Sequence, residues 1–245
     1  MTPFTTETLG IVAVLILAIG AERLGVLDLA GSLLAGFFGV VILIATDIGW
    51  FILLVVFTAT SFLATRIGYD KKRQRHMHEP RGGRRGWKNV LANGLTATVV
   101  AAAGFWVAPE RLALPFAVAV AAAAADTFAS ELGGLADEAV LITDPTRRVP
   151  PGTNGGVSVP GFAASALGAG LVAGVAHLLI PLDWDHVTLV VLLGLSGSII
   201  DSFLGATWEG DPGRRQGPLT KNDVNFIAIT IPAFVVLFLS LMGWT

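Results

Sequence analysis

Two aspartates lie within or at the end of long apolar stretches of the chain, where a carboxylate is costly. Asp126 follows an unbroken run of alanines, and Asp201 ends the apolar run 187–200. A carboxylate at the centre of a membrane helix costs about 2.5–3.5 kcal/mol on the insertion scale, so each needs a partner, water or a cation. Ionisable groups in such positions are candidates for function.

A pair of carboxylates from two helices is a suitable ligand set for Mg²⁺, which typically binds one or two carboxylates together with substrate phosphates. Asp126 and Asp201 are each followed by a hydroxyl residue and a phenylalanine. The alternative is structural, with each Asp accepting a hydrogen bond from an Asn, Ser or Thr of a neighbouring helix. Glu131 comes five residues after Asp126, so their side chains diverge by about 140° around a helix and need not meet.

A glycine-rich segment, Pro151-Gly152-Thr153-Asn154-Gly155-Gly156, directly precedes a predicted helix. Glycines allow backbone N–H groups to converge on an anion, and a helix N-terminus adds positive potential. The segment is not a P-loop, because no Lys-Ser or Lys-Thr pair follows at the required spacing. Such clusters often form only a turn. Beside two buried acids and an arginine pair, this one predicts a phosphate-binding loop.

The composition is typical of a polytopic membrane protein. Of the 245 residues, 53% are hydrophobic and 14% are charged, whereas soluble domains carry about 25% charged residues. The chain has no cysteine, which excludes disulfides, thiolate catalysis and Cys-ligated zinc. We predict an all-α fold, a membrane helix bundle that forms a single transmembrane domain over residues 1–245. Its eight predicted spans are 7–21, 29–46, 48–65, 89–108, 112–135, 158–181, 187–206 and 223–243. The alternative is seven spans and one interfacial helix.

The basic residues predict the orientation of the chain in the membrane. The loop 66–88 contains nine of the 16 Lys and Arg residues, so the positive-inside rule makes it cytoplasmic. Alternation of eight spans then places every other basic residue except Arg111 on the same side, and both termini outside. The polar motifs fall at cytoplasmic helix ends. We therefore expect a multi-pass protein of the cell membrane, with loop 66–88 in the cytoplasm.

An internal repeat of helix hairpins is a further hypothesis. The segment Asp201-Ser202-Phe203-Leu204 resembles Asp126-Thr127-Phe128-Ala129, and Asp-Pro-x-Arg-Arg occurs at both 144–148 and 211–215. Parallel repeats about an axis along the membrane normal occur in some transporters. The alternative is chance similarity between apolar sequences of low complexity.

Four motifs occur in a fixed order along the chain. They are Asn93-Gly94, Ala125-Asp126-Thr127-Phe128-Ala129-Ser130-Glu131-Leu132-Gly133, Gly152-Thr153-Asn154-Gly155-Gly156-Val157-Ser158 and Gly197-Ser198-Ile199-Ile200-Asp201-Ser202-Phe203-Leu204-Gly205-Ala206-Thr207. With Asn222 to Asn225, they resemble the integral membrane family that contains the plant phytyl-phosphate kinase and many uncharacterised archaeal and bacterial members. The resemblance covers residues 84–230. Trp208 departs from it, because the family pattern has Gln after Gly-Ala-Thr.

This resemblance implies phosphorylation of an isoprenyl monophosphate, of the phytyl or geranylgeranyl type, to the diphosphate by CTP or another nucleoside triphosphate. It implies that Asp126, Glu131 and Asp201 are catalytic and hold Mg²⁺. The implied substrate- or nucleotide-binding residues are Lys88, Asn93, Thr127, Ser130, Gly152, Thr153, Asn154, Gly155, Gly156, Ser202, Thr207, Lys221, Asn222 and Asn225. Phosphoryl transfer depends on positioning and charge neutralisation more than on covalent catalysis, which is compatible with these residue types.

Two other functions remain open from the sequence. A cytidylyltransferase making a CDP-lipid would use the same Mg²⁺ and acids, but would release pyrophosphate. A transporter or ion carrier would use Asp126 and Asp201 to bind a cation or a proton. Expected partners are the lipid bilayer, an isoprenoid lipid phosphate and a nucleoside triphosphate, with no nucleic acid. The lipid chain length, the nucleotide and the oligomeric state do not follow from the sequence.

Overall fold

The fold is described from a computed structural model, which covers residues 3–75, 80–211 and 215–243, without the side chains of 3–6, 80–81, 210–211 and 215–216. Residues 76–79 of the predicted loop 66–88 lie outside the described part. The helices are α1 Pro3–Arg23, α2 Leu29–Ala45, α3 Ile48–Arg66, α4 Tyr69–Gln74, α5 Pro80–Gly83, α6 Trp87–Ala102, α7 Glu110–Gly133, α8 Val159–Leu179, α9 Trp184–Leu204 and α10 Lys221–Leu241. The predicted helical membrane fold is confirmed.

The predicted number of spans is wrong. In the described part of the chain, five helices are long and apolar enough to cross a membrane, namely α3, α7, α8, α9 with its extension to Glu209, and α10. α2 is apolar but has only 17 residues. α6 has 16 residues and then tightens into a 3₁₀ turn, Ala103–Phe105. Each predicted span overlaps a helix, but the apolar pattern overestimated the length of α6, because it continued through this turn.

α7 is the central helix of the bundle. Every residue from Leu112 to Thr127 is buried, and α7 packs against α3, α6, α8, α9 and α10. Its small alanine side chains allow neighbouring helices to approach closely, as small residues do in membrane bundles. A Cβ atom added to Gly197 of α9 would overlap Ala122 of α7. The alanine-rich sequence therefore specifies a helix enclosed by other helices.

The helix connections are gathered at two opposite ends of the bundle. At one end, Asp28 N donates to Arg85 O at 3.0 Å, so the α1–α2 and α5–α6 connections touch. At the opposite end, Gly104 lies against the backbone of Ala45, and Gly49 lies against that of Leu179. The first end, which we call the loop end, contains connections 24–28, 67–86, 134–158 and 205–220.

Two small antiparallel sheets stiffen the connections at the loop end. Strand β1 Ala139–Leu141 pairs with both β2 Asp144–Val149 and β3 Gly156–Val157, giving the order β2-β1-β3. After α9 the chain forms a π-helical turn, Gly205–Glu209, and then β4 Gly210–Asp211 pairs with β5 Arg215–Gln216. These strands place the glycine-rich loop beside the end of α9.

Candidate functional site

A cavity of about 1100 Å³ opens at the loop end between α6, α7, α8, α9 and α10. The structure brings most of the predicted site residues to its walls. They are Lys88, Asp126, Ser130, Gly152, Thr153, Asn154, Gly155, Gly156, Asp201, Ser202, Lys221, Asn222 and Asn225. Residues from five separate segments of the chain therefore share one space.

Asp126 of α7 and Asp201 of α9 lie side by side in the cavity wall. Their carboxyl groups are close enough to interact directly. Asn225 of α10 donates from Nδ2 to Asp126 Oδ2 at 3.1 Å. Asp201 Oδ1 is buried and has no hydrogen-bond partner in the described part of the chain. Adjacent carboxylates repel unless a proton or a cation compensates them, so this pair, with one unused oxygen, fits a divalent cation.

Close packing of α9 on α7 sets the distance between the two acids. Gly197 precedes Asp201 by four residues, and Ala122 precedes Asp126 by four residues. Residues four apart share one helix face. Because a Cβ at Gly197 would overlap Ala122, the two helix backbones approach closely one turn before the acids. The glycine thereby brings the carboxyl groups together.

Glu209 is a further acid in the cavity, and it is not among the site residues predicted from the sequence. It ends the π-helical turn Gly205–Glu209, and its side chain forms a hydrogen bond with Asn154. Lys221, at the start of α10, interacts electrostatically with Asp126, Asp201 and Glu209. A π-helical turn changes the rotation per residue. Regular helical counting from Asp201 therefore could not place Glu209.

The glycine-rich loop is fixed between β1 and the π-helical turn. Gly152 and Gly155 have φ angles of 83° and 72°, which favour glycine. Ile142 N of the β1–β2 connection donates to Gly155 O at 2.9 Å. A Cβ at Gly155 would also overlap Ala206. This loop can therefore hold its backbone close to a ligand, and Gly155 cannot be replaced without moving the turn.

Three helices begin at the cavity. The lining residues from their first turns are Trp87, Lys88 and Asn89 of α6, Val159 and Gly161 of α8, and Lys221 and Asn222 of α10. The N-cap of α6 is Gly86, which has no side chain to accept from the first N–H groups of the helix. Helix N-termini carry positive potential and exposed N–H groups, which suit phosphate binding. The cavity thus combines an anion-binding rim with a carboxylate pair.

Glu131 does not reach the cavity, contrary to its predicted role as a magnesium ligand. Its Oε2 accepts from Lys72 Nζ at 2.6 Å, and its Oε1 accepts from Thr65 Oγ1 at 2.8 Å. Arg85 Nη2 lies 3.7 Å from Oε1. In the described residues, no group of three or more His, Cys, Asp or Glu side chains is arranged to hold a metal ion. The divergence of Glu131 from Asp126 around α7 explains this separation.

Three other predicted residues also lie outside the cavity. Asn93 donates from Nδ2 to Asn89 O at 2.8 Å and lines a smaller neighbouring cleft. Thr127 is buried in α7. Thr207 is exposed and donates to Phe203 O at 2.8 Å. The cavity wall also includes polar residues that were not predicted from the sequence as site residues, among them Asp28, Asn89, Ser165 and Ser198.

The fold and the site define a multi-pass helical membrane protein with a polar cavity at one end of the bundle. The chain belongs to the family described as integral membrane protein DUF92, whose family model matches residues 12–233. This confirms, at the level of the family, the resemblance carried by the sequence motifs.

Individual relatives come from archaea and plants. The chain is 32% identical over 239 residues to the uncharacterized membrane protein MJ0933 of Methanocaldococcus jannaschii, covering 94% of this chain and 95% of the relative. It is 31% identical over 253 residues to Protein PGR of Arabidopsis thaliana, covering 85% and 87%. It is 24% identical over 202 residues to Protein VTE6, chloroplastic, of the same plant, covering 79% and 60%. No solved structure matches the chain.

Proposed function

We propose that the protein transfers a phosphoryl group from a nucleoside triphosphate to an isoprenyl monophosphate, giving the diphosphate, in the cavity at the loop end. The observation that carries this proposal is the pairing of Asp126 with Asp201 beside a glycine-rich loop and three helix N-termini. The resemblance of the sequence motifs to the family of the plant phytyl-phosphate kinase supports the same reaction, and membership of the family described as integral membrane protein DUF92 is compatible with it.

The donors in the cavity suit a phosphate–magnesium complex. Asp126 and Asp201 would hold Mg²⁺, which when bound neutralises charge on the reacting phosphates. The buried and unpaired Oδ1 of Asp201 is the observation on this chain that fits such a ligand. Asn225 orients the Asp126 carboxylate through its hydrogen bond. The acids are thus held in place before the substrates arrive.

The phosphates would be bound by backbone and by lysine. The loop 152–156 lines the cavity, and the N–H groups of Gly152, Asn154 and Gly155 would bind phosphate, because those of Thr153 and Gly156 donate to Pro150 O and Thr153 O within the loop. Lys88 and Lys221 add positive charge at the starts of α6 and α10. Glu209 holds Asn154 of this loop through a hydrogen bond. A phosphate nucleophile is ionised at neutral pH, so positioning and charge neutralisation supply the catalysis.

The position of the cavity suits two substrates of different polarity. A long isoprenoid lies in the bilayer, whereas a nucleotide arrives from water. The cavity lies where the apolar helices α7, α9 and α10 meet the loops of the loop end. A lipid phosphate at the membrane surface and a soluble nucleotide could both reach it.

The test is to incubate purified protein in lipid nanodiscs with Mg²⁺, geranylgeranyl monophosphate and γ-labelled ATP or CTP. We expect labelled lipid diphosphate and a nucleoside diphosphate. Asp126→Asn and Asp201→Asn should each lower kcat by about 100-fold or more, on the scale of losing one electrostatic contact to the transition state. Glu138→Gln is the matched control, because Glu138 is an exposed acid at the same end, paired with Arg148 at 2.7 Å.

Three results would contradict the proposal. Full activity in a folded Asp126→Asn protein would remove the assigned role of the acids. Release of pyrophosphate with formation of a CDP-lipid would assign cytidylyl transfer instead. Ion flux in proteoliposomes without nucleotide, lost in Asp201→Asn, would assign a carrier.

A further inference from the structure

A second cleft lies between α2, α3 and α6, directly beside the cavity. Phe38, Leu54 and Phe57 line its apolar part, whereas Arg85 and Asn89 lie at its loop end. At about 1.5 Å per residue, Leu54 lies about 18 Å along α3 from the helix end at Arg66. The cleft is therefore polar near the loop end and apolar towards the middle of the bundle.

Three polar atoms in this cleft are buried without hydrogen-bond partners in the described part of the chain. They are Ser61 Oγ, Asn93 Oδ1 and Arg85 Nε. Ser61 is 2% exposed and Asn93 is 5% exposed. Buried polar groups in folded proteins normally have partners. Ser61 Oγ and Arg85 Nε can donate to a phosphate oxygen, whereas Asn93 Oδ1 can only accept, so the two unpaired donors indicate a binding place for a phosphate beside the apolar wall.

Only a thin wall separates this cleft from the cavity. Asn89 lines both spaces. Leu27 and Arg85 line the cleft, while their chain neighbours Asp28 and Gly86 line the cavity. The wall is held by backbone hydrogen bonds, among them that from Arg85 N to Val26 O at 3.1 Å. A molecule passing Asn89 would therefore occupy both spaces at once.

The size of the cleft limits what it can hold. Its volume is about 50 Å³. One water-sized group occupies about 10–15 Å³ of cavity volume, so the cleft has room for about four groups of that size. This suits one isoprene unit, not a whole isoprenoid. Ala35 and Phe62 in the cleft wall are partly exposed, so a longer chain could continue between α2 and α3 into the bilayer.

We propose that this cleft binds the apolar chain of the lipid monophosphate. The isoprene unit nearest the phosphate lies between Phe38, Leu54 and Phe57, and the phosphate lies at Asn89, facing the cavity. Arg85, whose Nη2 lies 3.7 Å from Glu131 Oε1, and Lys72 together carry one more positive charge than Glu131 neutralises. This surplus provides charge complementarity to the phosphate at the mouth of the cleft. The identity of the lipid rests on the proposed function. The inference that the cleft binds a molecule with a polar head and an apolar tail rests only on the residues that line it.

The first test blocks the cleft. Ala35→Phe fills it from α2, and Ala59→Phe is the matched control, because Ala59 is exposed on α3 and does not line the cleft. We expect Ala35→Phe to raise KM for geranylgeranyl monophosphate at least tenfold and to leave KM for the nucleotide unchanged. Ala59→Phe should change neither. Thr58→Phe, in the facing wall on α3, replaces Ala35→Phe if that variant does not fold.

The second test locates the lipid without requiring catalysis. A geranylgeranyl monophosphate analogue with a photoreactive diazirine on its first isoprene unit is cross-linked to the protein in nanodiscs, and labelled peptides are identified by mass spectrometry. We expect label on α2, α3 and α6, reduced at least tenfold in Ala35→Phe and unchanged in Ala59→Phe. Label confined to α8, α9 or α10, or undiminished label in Ala35→Phe, overturns the inference.

The two tests separate failure of this inference from failure of the proposed function. Cross-linking in the cleft without formation of a diphosphate would support the lipid site and contradict the kinase. Formation of the diphosphate with label elsewhere would support the kinase and overturn the lipid site.

Discussion

Lys72 is buried almost completely, although lysine is rarely enclosed in proteins. Its Nζ donates to Glu131 Oε2 at 2.6 Å and to the carbonyl oxygens of Ala64 and Thr65. A buried ion pair adds little net stability compared with an apolar pair, but removing one partner leaves an uncompensated charge. This pair therefore attaches the short helix α4 to α7.

The ion pair of Lys72 and Glu131 predicts how replacing Glu131 changes the stability of the protein. Glu131→Gln should lower the free energy of unfolding by about 3–5 kcal/mol, because it leaves the Lys72 charge unpaired. Glu131→Gln combined with Lys72→Met should recover most of the loss. Glu138→Gln, in an exposed ion pair, should change stability by less than about 1 kcal/mol. Thermal denaturation in detergent provides the measurement.

A different result would restore the magnesium role predicted for this residue. If Glu131→Gln kept full stability but lost magnesium-dependent activity, Glu131 would act in the reaction and not in anchoring α4.

Gly155 is the residue at which backbone conformation and close packing act together. A left-handed backbone conformation costs a residue with a side chain about 1–2 kcal/mol. Gly155→Ala should lower the free energy of unfolding by more than this amount. It should also weaken nucleotide binding, since the loop must move away from Ala206. Gly82→Ala is the control, because Gly82 has a nearly identical φ of 71° but open space around it. Thermal denaturation measures the loss of stability, and isothermal titration with nucleotide measures the loss of binding. Equal losses of stability in Gly155→Ala and Gly82→Ala would mean that backbone conformation, and not the contact with Ala206, is the cause.

At the scale of helices, the approach of α9 to α7 controls the site. Gly197→Val should push α9 from α7 and separate Asp201 from Asp126, lowering kcat at least tenfold, because reacting groups are sensitive to displacements of about 1 Å. Gly170→Val on α8 should have little effect, because nothing lies within 4 Å of the added Cβ position. Steady-state kinetics of both variants test this. Equal activities would mean that the helix spacing does not position the acids.

The sequence predicted the helices, and most of the predicted site residues line the cavity. A carboxylate within an apolar helix and a glycine cluster before a helix are local signals, so they could be recognised without the fold. It could not place Glu131, whose partners Lys72 and Arg85 come from a distant connection. It did not select Glu209, whose position depends on the π-helical turn. Asn89 has no distinctive neighbours in sequence, and its position depends on the packing of α6 against α2, α7 and α10.

The hairpin repeat stays a prediction. The connections after α7 and α9 each contain an antiparallel strand pair, β1–β2 and β4–β5. Arg147 and Arg148 lie in β2, and Arg215 lies in β5. Arg214, the other member of the second arginine pair, lies outside the described residues.

The orientation of the chain in the membrane decides which compartment the cavity faces. The chain has no cysteine, so single cysteines can report on it. Thr143→Cys, exposed at the loop end, should react with a membrane-impermeant maleimide only after the cells are permeabilised. Trp106→Cys, 83% exposed near the opposite end, should react in intact cells. The reverse pattern would place the cavity outside and contradict the positive-inside assignment.

The enclosure of α7 determines how this helix can change in evolution. Lipid-facing helices are selected mainly for hydrophobicity, but every residue of α7 from Leu112 to Ala125 is buried. Side-chain volume should therefore decide which substitutions this stretch tolerates, as in the core of a water-soluble enzyme. In such a core, added methylene groups lower stability by about 1–3 kcal/mol. A small hydroxyl in place of an alanine should be better tolerated than leucine, even though leucine is the better membrane residue.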